Sequence, residues 1–165
     1  MSDTIGMKLR VLDIIDGTIV DGPGLRTSIY LAGCRHACPG CHNPQSWDFN
    51  GGYDLTIRDI LAHVDENGFN VTISGGDPLY QIDAVVALCR ELKQRGINIW
   101  VYTGFKYEEL FADKKMSRIL KSADVLVDGP FINSMRDTSL RFRGSSNQRL
   151  IDLNKSDGEH IVEWK

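Results

Sequence analysis

The sequence predicts an α/β fold on a mainly parallel sheet, either an incomplete barrel of βα units or an open sheet. Three observations predict it. Short apolar runs rich in branched residues alternate with stretches of helical period, and the runs close on Gly, Asp and Pro. The 165 residues are also too few for a closed eightfold barrel, which takes about 250.

Taken in order, an extended segment over residues 9–15 leads through the turn sequence Asp21-Gly22-Pro23-Gly24 to a strand at 27–31. Ile57, Ile60, Leu61 and Val64 stand at helical spacing within 55–67, and a strand follows at 69–74. After Gly75-Gly76-Asp77-Pro78, a helix over 80–95 carries Ile82, Val85, Val86, Cys89 and Leu92 on one face and stops at Gly96. Strands are expected at 97–102 and 124–127, with one helix or two short ones across 107–120 between them. A Ser- and Asn-rich loop at 144–147 precedes a last strand near 148–153. That makes roughly five strands. Ligands of such sheets sit beyond the carboxyl ends of the strands, where the cysteines, Gly75-Gly76-Asp77, Thr103-Gly104 and Asp128-Gly129 all fall.

Composition narrows the class of protein. Hydrophobic residues at 42% and charged residues at 25% are ordinary for a globular chain, and residues 1–165 are the size of one domain. A net charge of -3 offers no general attraction to nucleic acid. The densest basic group, Arg136, Arg141, Arg143 and Arg149, alternates with polar residues and lacks a stacking row. No stretch approaches a membrane span and no signal-like apolar segment opens the chain, so a cytoplasmic protein is expected. In a reducing compartment, clustered cysteines point to metal or redox chemistry rather than disulfides.

Cys34, Cys38 and Cys41 follow the 27–31 strand at CxxxCxxC spacing. Three thiolates on one tight loop can each ligate a different iron of a cubane, leaving the fourth iron open to a small molecule, whereas tetrahedral zinc needs a fourth protein ligand. Pro39 and Gly40 allow the loop to fold tightly. Spacing alone also fits a zinc knuckle completed by His36 or His42. Cys89, on the apolar face of a helix, reads as a small buried hydrophobe.

Asp21-Gly22-Pro23-Gly24-Leu25-Arg26, then Gly33-Cys34, Cys38-Pro39-Gly40-Cys41-His42-Asn43 and Trp47 resemble the radical S-adenosylmethionine enzymes that activate glycyl-radical enzymes. Within that group the likeness is greatest to the branch acting on anaerobic ribonucleoside-triphosphate reductase. It extends through Ser74-Gly75-Gly76-Asp77-Pro78-Leu79, Trp100-Val101-Tyr102-Thr103-Gly104, Val125-Leu126-Val127-Asp128-Gly129 and Arg143-Gly144-Ser145-Ser146-Asn147-Gln148, covering about residues 12–152. The short chain and the Gly-Ser-Ser-Asn-Gln stretch separate it from the longer pyruvate formate-lyase type.

The resemblance implies an incomplete barrel of the radical S-adenosylmethionine type and an oxidoreductase. It further implies a 4Fe-4S cluster on Cys34, Cys38 and Cys41, which are the catalytic and metal-ligating residues, with S-adenosylmethionine chelating the open iron. Gly40, Cys41, His42, Ser74, Gly75, Gly76, Asp77, Thr103 and Asp128 are the expected cofactor contacts. Reductive cleavage of S-adenosylmethionine would then remove a hydrogen atom from a backbone glycine of the reductase, with a low-potential donor such as flavodoxin supplying the electron.

Two departures stand out. Many members carry an aromatic residue just before the third cysteine to hold the adenine, where this chain has Gly40, and the usual Gly-Gly-Glu motif appears as Gly75-Gly76-Asp77.

Other readings remain for several of these residues. Gly75 to Pro78 also reads as a βα turn with Asp77 capping the helix, and Thr103 and Asp128 as strand-end turn residues. Arg26 and the 143–148 loop are candidates for the methionine carboxylate or the partner. His36 reads as a loop residue, while His42 and Asn43 stand nearer the cofactor, and Trp100 and Tyr102 read as packing.

Overall fold

The computed structural model describes residues 4–41 and 44–165. Seven strands form one sheet among the described residues: β1 (Lys8–Thr18), β2 (Arg26–Leu31), β3 (Tyr53–Thr56), β4 (Asn70–Gly75), β5 (Ile99–Tyr102), β6 (Val125–Asp128) and β7 (Arg149–Asp152). Their order is β3-β1-β2-β4-β5-β6-β7. Pairs β2/β4, β4/β5 and β5/β6 are parallel, while β1/β2, β1/β3 and β6/β7 are antiparallel. The expected mainly parallel sheet is therefore a mixed one. The parallel strands need crossovers, and helices provide them; the flanking strands are joined without one.

The expected strands at 27–31, 69–74, 97–102, 124–127 and 148–153 correspond to β2, β4, β5, β6 and β7, and the extended segment at 9–15 lies within β1. β3 is the addition. Its four residues have no readable period, and its register is set by pairing Tyr53 to Thr56 against Val11 to Lys8. It also takes Leu55 and Thr56 out of the expected first helix, which begins at Ile57 with Thr56 as its cap.

Helix α1 (Ile57–Asn67) opens with a reciprocal capping box between Thr56 and Asp59 and closes on Gly68 at φ 70°. Eleven residues are marginal as an isolated helix. Burial of Ile57, Ile60, Leu61 and Val64, each worth about 1.5–3 kcal/mol, decides the matter. The second helix starts later than its period suggests: Asp77 caps a 3-10 turn, Pro78–Gln81, and α2 runs Ile82–Gln94. The 107–120 stretch holds α3 (Tyr107–Ala112) and a 3-10 segment, Met116–Lys121.

Pleating gives the sheet two distinct faces. Ile29, Ile73, Val101 and Leu126 join the apolar residues of all three helices in the main core. Alternate positions Trp100, Val125 and Val127 form a second, smaller cluster with Tyr102, Phe142, Leu150 and Trp164. Helices thus cover one face, and loops border the other. No helix among the described residues is long and apolar enough to cross a membrane.

Candidate functional site

The loop-bordered face carries an open cleft of about 710 Å³. Tyr30, Ser74 and Tyr102 line it from β2, β4 and β5, with Tyr30 paired directly to Ser74 across the sheet. Gly75 and Cys41 continue the lining, Val20 and Asp21 contribute from the turn after β1, and Phe131, Phe142, Arg143 and Gln148 come from the loops around β6 and β7. Asp21 accepts hydrogen bonds from the Tyr30 hydroxyl at 2.6 Å and the Ser28 hydroxyl at 3.1 Å. Burial, aided by Asp21, pushes the Tyr30 phenol up to about 12, so it stays a neutral donor.

The cysteine loop is tied down along its length. Gly33 donates to Ser46 O at 2.7 Å, Asp77 N–H donates to Gly33 O at 2.8 Å, and Cys41 N–H closes a turn on Cys38 O at 3.0 Å. Gly40 takes a φ of +76°, and an added Cβ there would meet Asn133 Oδ1 at 2.8 Å, so a side chain here would strain the backbone and displace Asn133. Cys34, Cys38 and Cys41 are all partly exposed and free of disulfides. Burial, with Asp77 and the two neighbouring thiols adding to it, pushes the Cys34 thiol up to about 11, and burial also raises Cys38. A thiol so shifted is protonated at neutral pH until a metal displaces the proton.

Among the described residues, no group of three His, Cys, Asp or Glu is gathered around one point as a single ion requires. The three thiols are nevertheless close enough to influence one another electrostatically. Soft sulfur donors spread along one loop suit a cluster in which each cysteine takes its own iron. The donor set therefore fits an iron-sulfur centre.

The expected cofactor contacts divide into two sets. Cys41, Ser74 and Gly75 line the cleft, and Gly40 neighbours them on the loop. Asp77 and Thr103 instead brace its rim. Asp77 is fully buried and caps Leu79 N–H at 3.0 Å; it also accepts from the Thr103 hydroxyl at 2.9 Å, Gly104 N–H at 2.9 Å and His36 Nε2 at 2.6 Å. Gly76 is required by chain packing, since a Cβ would lie 2.5 Å from Gly33 O. Asp128, also buried, accepts from Tyr107 N–H and from Arg149, whose guanidinium also pairs with Glu108. It borders a second, smaller cavity of about 520 Å³. His42 and Asn43 lie outside the described residues.

Arg26 is not at the cleft as a ligand contact. It is 1% exposed, and its nitrogens donate to Thr72 Oγ1, Pro23 O, Val71 O, Asn98 O and Asn98 Oδ1 over 2.8 to 3.2 Å. Arg143 does line the cleft, and its Nε is a buried donor with no partner among the described residues. Trp100 is core, as read from the sequence, while Tyr102 both packs and lines the cleft. Asp21, Tyr30, Phe131 and Phe142 were not legible as site residues. For Tyr30 the usable signal was its parity with Ser74 and Tyr102 across adjacent strands; for the loop residues there was none.

The cysteine loop and the strand-end cleft define a single-cluster iron-sulfur domain, and the family model described as "4Fe-4S single cluster domain" matches residues 20–151. Anaerobic ribonucleoside-triphosphate reductase-activating proteins of Salmonella typhimurium and Escherichia coli K12 are 38% and 37% identical, each alignment covering 79% of this chain and 90% of the relative. That of Enterobacteria phage T4 is 34% identical over 79% of this chain and 86% of its own length. The chain belongs to this family of activating proteins. In fold it is similar to QueE from Escherichia coli, with a TM-score of 0.52 at 19% identity over 59% of this chain and 53% of that one.

Proposed function

We propose that this protein activates anaerobic ribonucleoside-triphosphate reductase by installing a glycyl radical in it, as the names of its relatives suggest. One observation carries the reading: Cys41, the last of the three cluster cysteines, lines the same cleft as Ser74 and Gly75 at the carboxyl end of β4. A small molecule seated on the strand ends there touches the metal loop as well.

When bound, a 4Fe-4S cluster and S-adenosylmethionine supply the chemistry, one-electron cleavage of the sulfonium to methionine and a 5′-deoxyadenosyl radical that takes a glycine hydrogen atom. Cys34, Cys38 and Cys41 hold three irons. Backbone at Gly40 and Cys41 and at Ser74 and Gly75 lines the cofactor, Gly76, Asp77 and Thr103 hold the rim behind it, and Asp128 braces the neighbouring β6 end through Arg149. The unpartnered Nε of Arg143 is a ready donor for the methionine carboxylate. Tyr30, Tyr102, Phe131 and Phe142 offer the flat apolar surface that the loop lacks at Gly40, and they keep water from the reacting centre.

In this reading residues 1–165 act as one cytoplasmic domain, an incomplete barrel whose open side admits a glycine-bearing loop, with flavodoxin or a similar donor providing the electron. The test is anaerobic reconstitution. Iron and acid-labile sulfide in equal amounts, a cluster spectrum that changes on adding S-adenosylmethionine, 5′-deoxyadenosine formed with dithionite, and a glycyl radical signal only with the reductase are expected. Zinc without sulfide would overturn the proposal, and a radical formed instead on pyruvate formate-lyase would reassign the partner.

A further inference from the structure

His36 stands midway between the first two cluster cysteines, and nothing in the proposed chemistry uses it. Its surroundings are unusually specific for a loop residue. Nε2 lies 2.6 Å from Oδ2 of Asp77, whose side chain is fully buried. The imidazole packs edge-on to Phe105 with ring centroids 4.6 Å apart and tilts against Tyr80 at 5.7 Å. Gly104 completes the recess, because a Cβ there would lie 2.7 Å from Cδ2 and 2.9 Å from Nε2 of the ring. The next residue, Ala37, adopts φ +49°, a region that side-chain-bearing residues occupy only where the surroundings over-determine the backbone.

Asp77 is the common anchor. Through Thr103 and Gly104 it is fixed to the end of β5, and through its own cap on Leu79 to the turn before α2. A loop residue bonded to it is thereby referenced to two elements of the sheet and its helix layer. The backbone bonds of Gly33 and Cys34 hold the first part of the loop, and the Cys38–Cys41 turn holds the last. Between them, the His36 side chain bonds to Asp77 and the Arg35 guanidinium lies 5.0 Å over the ring of Phe49; of the two, His36 is the one bonded to the buried rim.

We propose that His36 is a positioning residue that latches the cysteine loop to the β4 and β5 rim through Asp77, setting the loop's shape before any iron binds. The proposal rests on the reading of Cys34, Cys38 and Cys41 as cluster ligands. It assigns His36 no contact with substrate; its effect passes through the cysteines on either side.

The test uses the full chain in two states. In the metal-free protein, alkylation of Cys34, Cys38 and Cys41 by iodoacetamide is followed residue by residue with mass spectrometry. In the reconstituted protein, iron retention against a chelator and the spectrum of the reduced cluster are measured. His36→Ala is expected to speed alkylation of Cys38, to broaden the cluster spectrum, and to weaken iron retention by roughly 10–100-fold, the range usual for groups that orient metal ligands. His36→Gln, which keeps a donor for Asp77, restores part of the effect. Gly104→Ala leaves His36 and Asp77 intact but drives a methyl into the ring, and it reproduces the His36→Ala phenotype, so the test survives if His36→Ala fails to fold.

Unchanged alkylation and unchanged iron retention in both variants would overturn the latch. If the loop loosens as expected yet no parent protein assembles a cluster, the latch stands and the reading of the cysteines fails instead.

Discussion

Arg26 keeps a full charge inside the protein. Burial holds its guanidinium down to about 10, still well above neutral pH, and three backbone carbonyls, an amide oxygen and a hydroxyl surround it in place of a carboxylate. It joins β2, β4 and the turn before β5, and its guanidinium lies 5.6 Å over the ring of Trp100. Lysine cannot reach so many acceptors at once. Arg26→Lys should therefore cost about 1–3 kcal/mol, the usual price of buried acceptors left unmade. Thermal unfolding checks this, and iron uptake should not change. Cys89 offers the opposite contrast among the cysteines. It is fully buried in α2, and burial pushes its thiol up to about 12. Cys89→Ala should cost on the order of 1 kcal/mol and leave iron uptake intact, whereas loss of Cys34, Cys38 or Cys41 should abolish it.

At the scale of elements, Asp124 fastens the amino-terminal ends of the strands opposite the cleft. Burial alone would raise its pKa, yet hydrogen bonds from Lys93 on α2, Asn154 after β7 and Ile99 N–H on β5 outweigh it and hold the carboxyl below its ordinary value. A carboxylate depressed on folding contributes stability above its unfolded value near 4, and that contribution is lost as pH falls through the folded value. Asp124→Asn should accordingly lower stability by about 1–3 kcal/mol at neutral pH and flatten the decline that begins as pH falls below about 4. Urea titrations at a series of pH values would show both. Elements also reveal why part of the sheet was hidden. α1 and α2 announce themselves through apolar spacing and caps, but β3 exists only because β1 presents it with an edge.

For the molecule as a whole, the two faces of the sheet do different work. Helices pack the main core on one side, while the cleft face is closed beneath Trp100 by Phe142 from the cleft wall and Trp164 near the chain end, with ring centroids 5.3 and 5.0 Å from Trp100. Phe142 is held further by the Tyr102 hydroxyl, which donates to its carbonyl. A contact between the last residues and the wall of the site follows from this small cluster. Trp164→Ala should cost about 3 kcal/mol in global stability. Hydrogen exchange in residues 140–148 should rise as well, because the wall loses its backing.

The cysteine spacing, the strand-end glycines and the alternation of apolar runs were legible in the residues, since ligand chemistry, turn conformation and periodicity are local properties of a chain. They supplied the α/β class, the cysteine loop and the cap at Asp77. The mixed pairing of the sheet, the burial of Arg26, the aromatic cleft wall and the His36–Asp77 bond became visible only in the fold. Each depends on which residues meet in the fold, as Arg26 meets Asn98 72 positions on and His36 meets Asp77 41 positions on, and such a partner leaves no pattern in its neighbour's own segment.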